Sequence, residues 1–270
     1  MGFSVHIWAV ANQKGGVGKT TTTVALAGLL SERGARVLMV DLDPHGSLTS
    51  YFGYNPEEIQ TSVFDLFGEQ VLTTREAVQQ LLLPAADSGI QLLAASPALA
   101  TVERRSLQGT GVRVSKALAL LWDDFDYALL DTPPVLGALM INALAACERL
   151  LIPVQTEFLA LKGLERMLRT LEMLARSTQK ALPYLIIPTL FDRRTHAAVS
   201  SLQTLRHQYE DRIWAGMIPV DTRFRDASRA GKLPSQFDSG SRGIEAYRSL
   251  LKVLLAQQAP PHVQVGAGVR

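Results

Sequence analysis

The sequence predicts an α/β fold, a single doubly wound, mostly parallel sheet flanked by helices. Two observations carry that expectation. Short apolar runs alternate along the chain with longer stretches of helical periodicity, the order that folds into a sheet with helices on both faces. Most of those runs are continuously apolar instead of alternating with polar residues, as strands covered on both faces are.

The elements follow in order. Residues 6–11 are the first expected strand and run straight into a glycine-rich loop. The helix expected at 19–33 stops at Gly34, a residue suited to closing a helix. A strand at 36–40 follows. Residues 51–84 interrupt the alternation and are expected to form a loop with short helices at 62–67 and 74–82. Long excursions after a strand's carboxyl end often carry function. Strands at 90–95, 127–130, 149–154, 184–189 and 213–218 complete the sheet. Helices at 112–122, 138–146, 157–177 and 197–209 lie between them. A last helix at 240–257 gathers Ile244, Tyr247, Leu250, Leu251, Leu254 and Leu255 on one face. Residues 1–256 are thus expected to form one domain. The tail 257–270 contains Pro260, Pro261, Gly266 and Gly268 and little apolar content, and is expected to be a disordered end.

Composition narrows the classes. With 270 residues and 47% hydrophobic content the chain can bury a large core, which excludes disorder as its main state. Its 27 Lys and Arg against 25 Asp and Glu leave a formal charge of +2, too small for a whole-protein field that attracts nucleic acid. Cys147 is the only cysteine, so disulfides and multi-cysteine metal or cluster sites within one chain are excluded, and a reducing cytoplasm is expected. Apolar runs such as 143–146 and 182–187 fall far short of the ~20 residues of a membrane-spanning helix. Residues 5–11 include His6 and Trp8 and pass directly into the loop, which fits a buried strand and not a signal peptide.

The strongest signal is Asn12-Gln13-Lys14-Gly15-Gly16-Val17-Gly18-Lys19-Thr20-Thr21 between the first strand and the first helix, the setting a phosphate-binding loop needs. Gly15, Gly16 and Gly18 let the backbone approach phosphate oxygens and turn several N–H groups inward, around Val17. The helix start near Lys19 adds partial positive charge. Lys19 supplies a full charge to the β and γ phosphates, the Thr20 hydroxyl is placed for Mg²⁺, and Thr21 reaches the α phosphate. The general pattern G-x4-G-K-[S/T] would put glycine at position 13. Gln13 and the extra Lys14 stand there instead, which matches the deviant Walker A loop K-G-G-x-G-K-T-T of the P-loop NTPases.

Two apolar strands end in acids. The second strand runs into Asp41-Leu42-Asp43-Pro44-His45. Asp41 and Asp43 share parity and so can project from one face at the ligand-binding edge, although a polar turn would use the same residues. Tyr127-Ala128-Leu129-Leu130-Asp131-Thr132-Pro133-Pro134 has the form of a Walker B strand, with Asp131 holding Mg²⁺ through water. The prolines preset the backbone leaving Asp131.

On these motifs the chain resembles the ParA/MinD family of partition and positioning ATPases over nearly its whole length, from His6 to Leu255. The resemblance implies ATP and Mg²⁺ as ligands and an ATP-sandwich homodimer in which Lys14 reaches the partner's phosphates, much as an arginine finger acts in trans. It implies that Lys14, Lys19 and Asp43 serve hydrolysis. Asp43 would orient the attacking water or support Mg²⁺ through water, and Asp41 would act behind it. The Asp-Thr-Pro-Pro string matches the family's second switch. His45 departs from the usual glutamine. Pro219 and Asp221, near the end of a later strand, occupy the places where family members wrap the adenine, where ordinary strand ends would look the same.

Residues 188–232 contain eight Arg and Lys against five Asp and Glu. Related ATPases bind nonspecific DNA through such residues once dimerised, and Arg193, Arg194, Arg223 and Arg225 are the candidates here, with a solvated face as the alternative. The leucine face of the last helix is expected to be core, since MinD-type membrane anchors are basic amphipathic helices at the extreme end of the chain; no membrane insertion is expected. The implied function is a slow, partner-stimulated ATPase switch that places or segregates cargo with an unidentified adaptor or activator protein. His45 and the neighbouring Gly46-Ser47-Leu48-Thr49 suggest the ParC-type members that set chemotaxis arrays at the cell pole. Plasmid or chromosome partition is the alternative, and a metabolic ATP-dependent enzyme on the same fold a remoter one. Nitrogenase-type iron proteins need two cluster cysteines, and Cys147 stands alone. The expected location is cytoplasmic, at the nucleoid or the pole.

Overall fold

The computed structural model describes residues 5–68, 72–86, 89–104, 111–179 and 181–258. Seven strands are present among them: β1 (His6–Val10), β2 (Val37–Asp41), β3 (Leu82–Ala85), β4 (Ile90–Leu93), β5 (Tyr127–Asp131), β6 (Arg149–Gln155) and β7 (Tyr184–Thr189). They form one sheet in the order β3-β4-β2-β5-β1-β6-β7. All neighbours are parallel except β3 and β4, which pair antiparallel at one edge.

Parallel neighbours need long crossovers, and helices supply them. α1 (Lys19–Ser31) links β1 to β2, α6 (Ala138–Ala146) links β5 to β6, and α7 (Phe158–Thr178) links β6 to β7. Shorter helices α2 (Ser47–Tyr51), α3 (Arg75–Gln79), α4 (Leu99–Arg104) and α5 (Arg113–Leu120) fill the stretch between β2 and β5. After β7 come α8 (His196–Gln208), α9 (Arg223–Arg229), α10 (Pro234–Phe237) and α11 (Arg242–Ala256). Successive strand residues point to opposite faces, and two cores result. Trp8, Val10, Met39 and Leu129 pack with α1 and α11 on one face. Ala9, Val40 and Leu130 pack with α5, α6, α7 and α8 on the other.

Two expectations need correction. Residues 213–218 are not a strand; an isolated bridge joins Ile213 to Ile186, another joins Pro219 to Phe191, and the Trp214 and Ile218 N–H groups donate to β7 carbonyls without forming a continuous ladder. The Trp214 indole folds over Gly216, where a Cβ would stand 2.2 Å from the ring, and the backbone bends there. The helix expected at 74–82 ends at Gln79, and the chain then extends into β3. Pro84 has no N–H to give a ladder, and an edge strand is where a sheet tolerates that. The short helix expected at 62–67 is present as a 3-10 helix, Val63–Phe67, entered through a capping box in which Ser62 and Asp65 satisfy each other's backbone N–H groups. Of the expected tail, residues 259–270 lie outside the described residues. Gln257 and Gln258 are held to the sheet by Arg149 and Tyr127, at 2.9 and 3.1 Å.

The register positions the site. Asp131 at the end of β5 lies opposite Val10 on one side and Asp41 on the other. The carboxyl ends of β1, β2 and β5 therefore meet at one level, with the glycine-rich loop leaving β1 directly above them.

Candidate functional site

The loop after β1 is built on a buried asparagine. Asn12 donates from Nδ2 to the Pro153 carbonyl at 2.7 Å, and its Oδ1 accepts the Lys14 N–H at 3.0 Å. Gly16 and Gly18 adopt φ of 72° and 91°, the left-handed region that side chains avoid. A Cβ at Gly15, Gly16 or Gly18 would meet nothing within 4 Å. The loop thus encloses open space lined by backbone at the start of α1, the geometry that binds anions. Val17 is buried beneath it, and its carbonyl accepts the Thr189 hydroxyl at 2.8 Å.

Lys19 is buried, with Nζ 3.4 Å from the Lys14 carbonyl. Burial lowers its pKa, and the Asp131 and Asp43 carboxylates oppose that shift. Thr20 donates from Oγ1 to Asp131 Oδ2 at 2.6 Å. Asp131 Oδ1 is buried without a hydrogen-bond partner. An orphaned carboxylate oxygen beside a hydroxyl fits a hard cation held by one hydroxyl, water and phosphate oxygens. No group of three or more His, Cys, Asp or Glu among the described residues could hold a metal by itself, as expected where phosphate supplies the remaining ligands.

Asp41 is fully buried. It accepts the Thr49 N–H and Oγ1 at 2.8 Å each and the Asp43 N–H at 3.1 Å. It therefore fastens α2 and the turn carrying Asp43 to the end of β2. Asp43 uses Oδ1 to accept the His45 N–H at 3.0 Å and to meet His45 Nδ1 at 2.8 Å. Lys14 points along the loop's rim, where Nζ pairs with Glu157 and reaches Gln155 Oε1 at 3.3 Å. Glu157, just before α7, carried no signal in the sequence because its partner is 143 residues away.

A cavity opens beside the loop, from Gly18 and Thr21 to Thr189, Pro219, Asp221 and Phe224. Asp221 also caps backbone, accepting the Gly243 N–H at 2.9 Å and the Arg223 N–H at 3.0 Å. Phe224 was missed from sequence, and Tyr247, read there as part of the last helix's core face, also lines the cavity. Phe224 stands edge-on to Tyr247, and a Cβ at Gly243 would lie 2.4 Å from its ring. The available signal was one aromatic between two arginines close after Pro219. Of the four candidate arginines, Arg194 is bound to Asp192, and Arg223 to Asp238 and Asp226. Arg193 and Arg225 have no ion pair among the described residues. No described helix is long and apolar enough to cross a membrane.

The buried acidic pair ties the expected stability of the fold to pH. Burial, then the charge of Asp41, pushes the Asp131 carboxyl up to about 8, and burial also raises Asp41. Folded Asp131 thus holds a proton that unfolded Asp131 loses near the ordinary carboxylate range. Stability from this group is full below about pH 4 and is lost as pH rises through about 8. Without nucleotide, the melting temperature should fall between pH 5 and 8 more steeply in the wild type than in Asp131→Asn. Equal slopes would show that Asp131 is ionised throughout.

A family model described as an AAA domain matches residues 5–184. The chain is 35% identical over 253 residues to the sporulation initiation inhibitor protein Soj of Bacillus subtilis, covering 93% of this chain and 98% of that protein. It is 39% identical to the chromosome-partitioning ATPase Soj of Thermus thermophilus, covering 92% and 95%. A solved structure of cobyrinic acid a,c-diamide synthase from Mycobacterium smegmatis, with bound ADP and magnesium, is similar at a TM-score of 0.77 and 35% identity, covering 93% and 94%. With the deviant phosphate loop and the paired acidic strand ends, these likenesses establish that the chain belongs to the ParA/MinD family of ATPases.

Proposed function

We propose that this chain is an ATP-dependent dimerising switch that segregates or positions DNA-linked cargo. The observation that carries the nucleotide part is the pairing of Thr20 with an Asp131 whose second oxygen is left without a partner at the foot of the loop. The relative solved with ADP and magnesium supports it. In this reading the N–H groups of Gly15, Gly16, Val17 and Gly18 and the Lys19 ammonium hold the β and γ phosphates, and Thr21 meets the α phosphate. Thr20, with Asp131 and Asp43 through water, holds Mg²⁺, which when bound neutralises phosphate charge. Asp43, tied on one oxygen by His45, offers the other to the attacking water. Pro219 and Asp221 flank the base.

The dimer part rests on what surrounds Lys14. Val135 and Leu136 after β5, and Phe158 and Leu159 at the start of α7, are 60%, 38%, 67% and 67% exposed. Large apolar side chains left open beside the phosphate loop are what an interface buries. In the single chain Lys14 is neutralised by Glu157; dimerisation would exchange that carboxylate for the phosphates of the other copy. The chromosome-partitioning name of the Thermus relative favours a DNA cargo over the chemotaxis arrays suggested by His45. An adaptor or activator protein and a nucleoid-associated location belong to the same reading. The likeness to the diamide synthase favours a second one, ATP use on a carboxylic acid substrate.

Lys14→Ala should bind ATP as the wild type does but form no stable ATP dimer in light scattering and turn over little ATP. A normal dimer with normal turnover would remove the role of Lys14 between chains. For DNA, an Asp43→Ala protein loaded with ATP should bind random duplex in fluorescence anisotropy and release it as salt rises. The ADP form should bind more weakly, because one copy presents half the patch. Arg193→Ala and Arg225→Ala should weaken binding more than Arg194→Ala, whose guanidinium is already engaged. Equal affinity with ATP and ADP would end the gating. No binding at low salt, with turnover stimulated by a carboxylic acid substrate, would favour the metabolic reading.

A further inference from the structure

We propose that Glu103, outside every motif of the phosphate site, is a positioning residue for ATP hydrolysis: it anchors the far end of the loop that leaves Asp131. The proposal rests on the ATPase reading above. That loop, residues 132–137, joins the end of β5 to α6. Its near end is fixed twice. The Asp131 carbonyl accepts the Leu42 N–H at 2.9 Å, and Thr132 Oγ1 donates to the Val10 carbonyl at 2.9 Å. Its far end is fixed from another element. Glu103, on α4, accepts the Ala138 N–H through Oε2 at 2.8 Å and the Leu139 N–H through Oε1 at 3.2 Å. Both oxygens of one carboxylate thus meet the first free N–H groups of α6, where negative charge is favoured.

Gly137 shows how closely the two are fitted. Its φ of −137° is extended backbone open to any residue, so conformation does not explain the glycine. Space does: a Cβ there would stand 1.6 Å from Glu103 Oε2. Between the two anchors Val135 and Leu136 are open to solvent. The span between a metal-facing carboxylate and an interface therefore hangs on its ends. α6 does not depend on Glu103 for its own place. Leu139, Met140 and Ala143 are buried in the core, and Asn142 accepts the Arg113 and Val114 N–H groups. Losing the Glu103 contact should release the loop and leave the fold.

The test is a double-mutant cycle of Glu103→Gln and Gly137→Ala. Both break the same contact, one by removing charge and an acceptor, the other by displacing the carboxylate. The measurements are single-turnover and steady-state hydrolysis of ATP, ATP affinity by calorimetry, and thermal unfolding. Each single variant should lose about tenfold in kcat, since small misplacements around a reacting phosphate cost this much or more. ATP affinity should stay within about twofold, and the double variant should match the singles because the sites are coupled. Unchanged kcat in Glu103→Gln overturns the proposal. So does a loss of ATP affinity in step with kcat, which would mean general damage, and so do multiplying effects, which would mean independent sites. A wild type that binds but never hydrolyses ATP fails the ATPase reading itself, and the proposal with it.

Discussion

Two carboxylates at the same height on adjacent strands set the terms for the rest of the structure. β2 and β5 are parallel neighbours in a register that places Asp41 against Asp131, and both are buried. Like charges that close, away from water, cannot both stay ionised without compensation. The molecule compensates asymmetrically. Asp41 receives three hydrogen bonds from the turn and helix that follow it. Asp131 receives one, from Thr20, and keeps an oxygen bare. One carboxylate organises protein, and the other leaves an oxygen open at the foot of the loop. Lys19 stands beside them as the nearest full positive charge from within the loop, and burial keeps its own pKa low.

Much of this was legible from sequence because it is local. The strand at 184–189 and the helix at 138–146 appear with the expected limits. The loop could be recognised because its glycines, lysine and threonines are consecutive. What escaped detection depends on distant partners. β3 is a strand only because β4 offers it an edge. Residues 213–218 look like a strand by composition, yet the indole of Trp214 occupies the space over Gly216. Trp122, at the end of the helix expected over 112–122, is 49% exposed. Short helices such as α2 and α9 span too few residues to show a period.

The site divides along the same line. Lys19, Thr20 and Asp131 converge as their motifs imply, whereas no spacing rule joins Lys14 to Glu157 or Glu103 to Gly137. Asp221, singled out beside Pro219, proves also to be a cap for two backbone segments. A carboxylate in a motif-like setting can thus serve the fold and the cavity at once.

The edges of the sheet have a consequence for crowding. At one end β3 is four residues long, antiparallel and carries Pro84. At the other, the carbonyls of Ile186 and Pro188 on β7 already accept the Trp214 and Ile218 N–H groups at 2.9 and 2.8 Å. Neither border offers a continuous row of unpaired backbone to a foreign strand. Many copies could therefore be crowded together without their sheets zipping into fibrils.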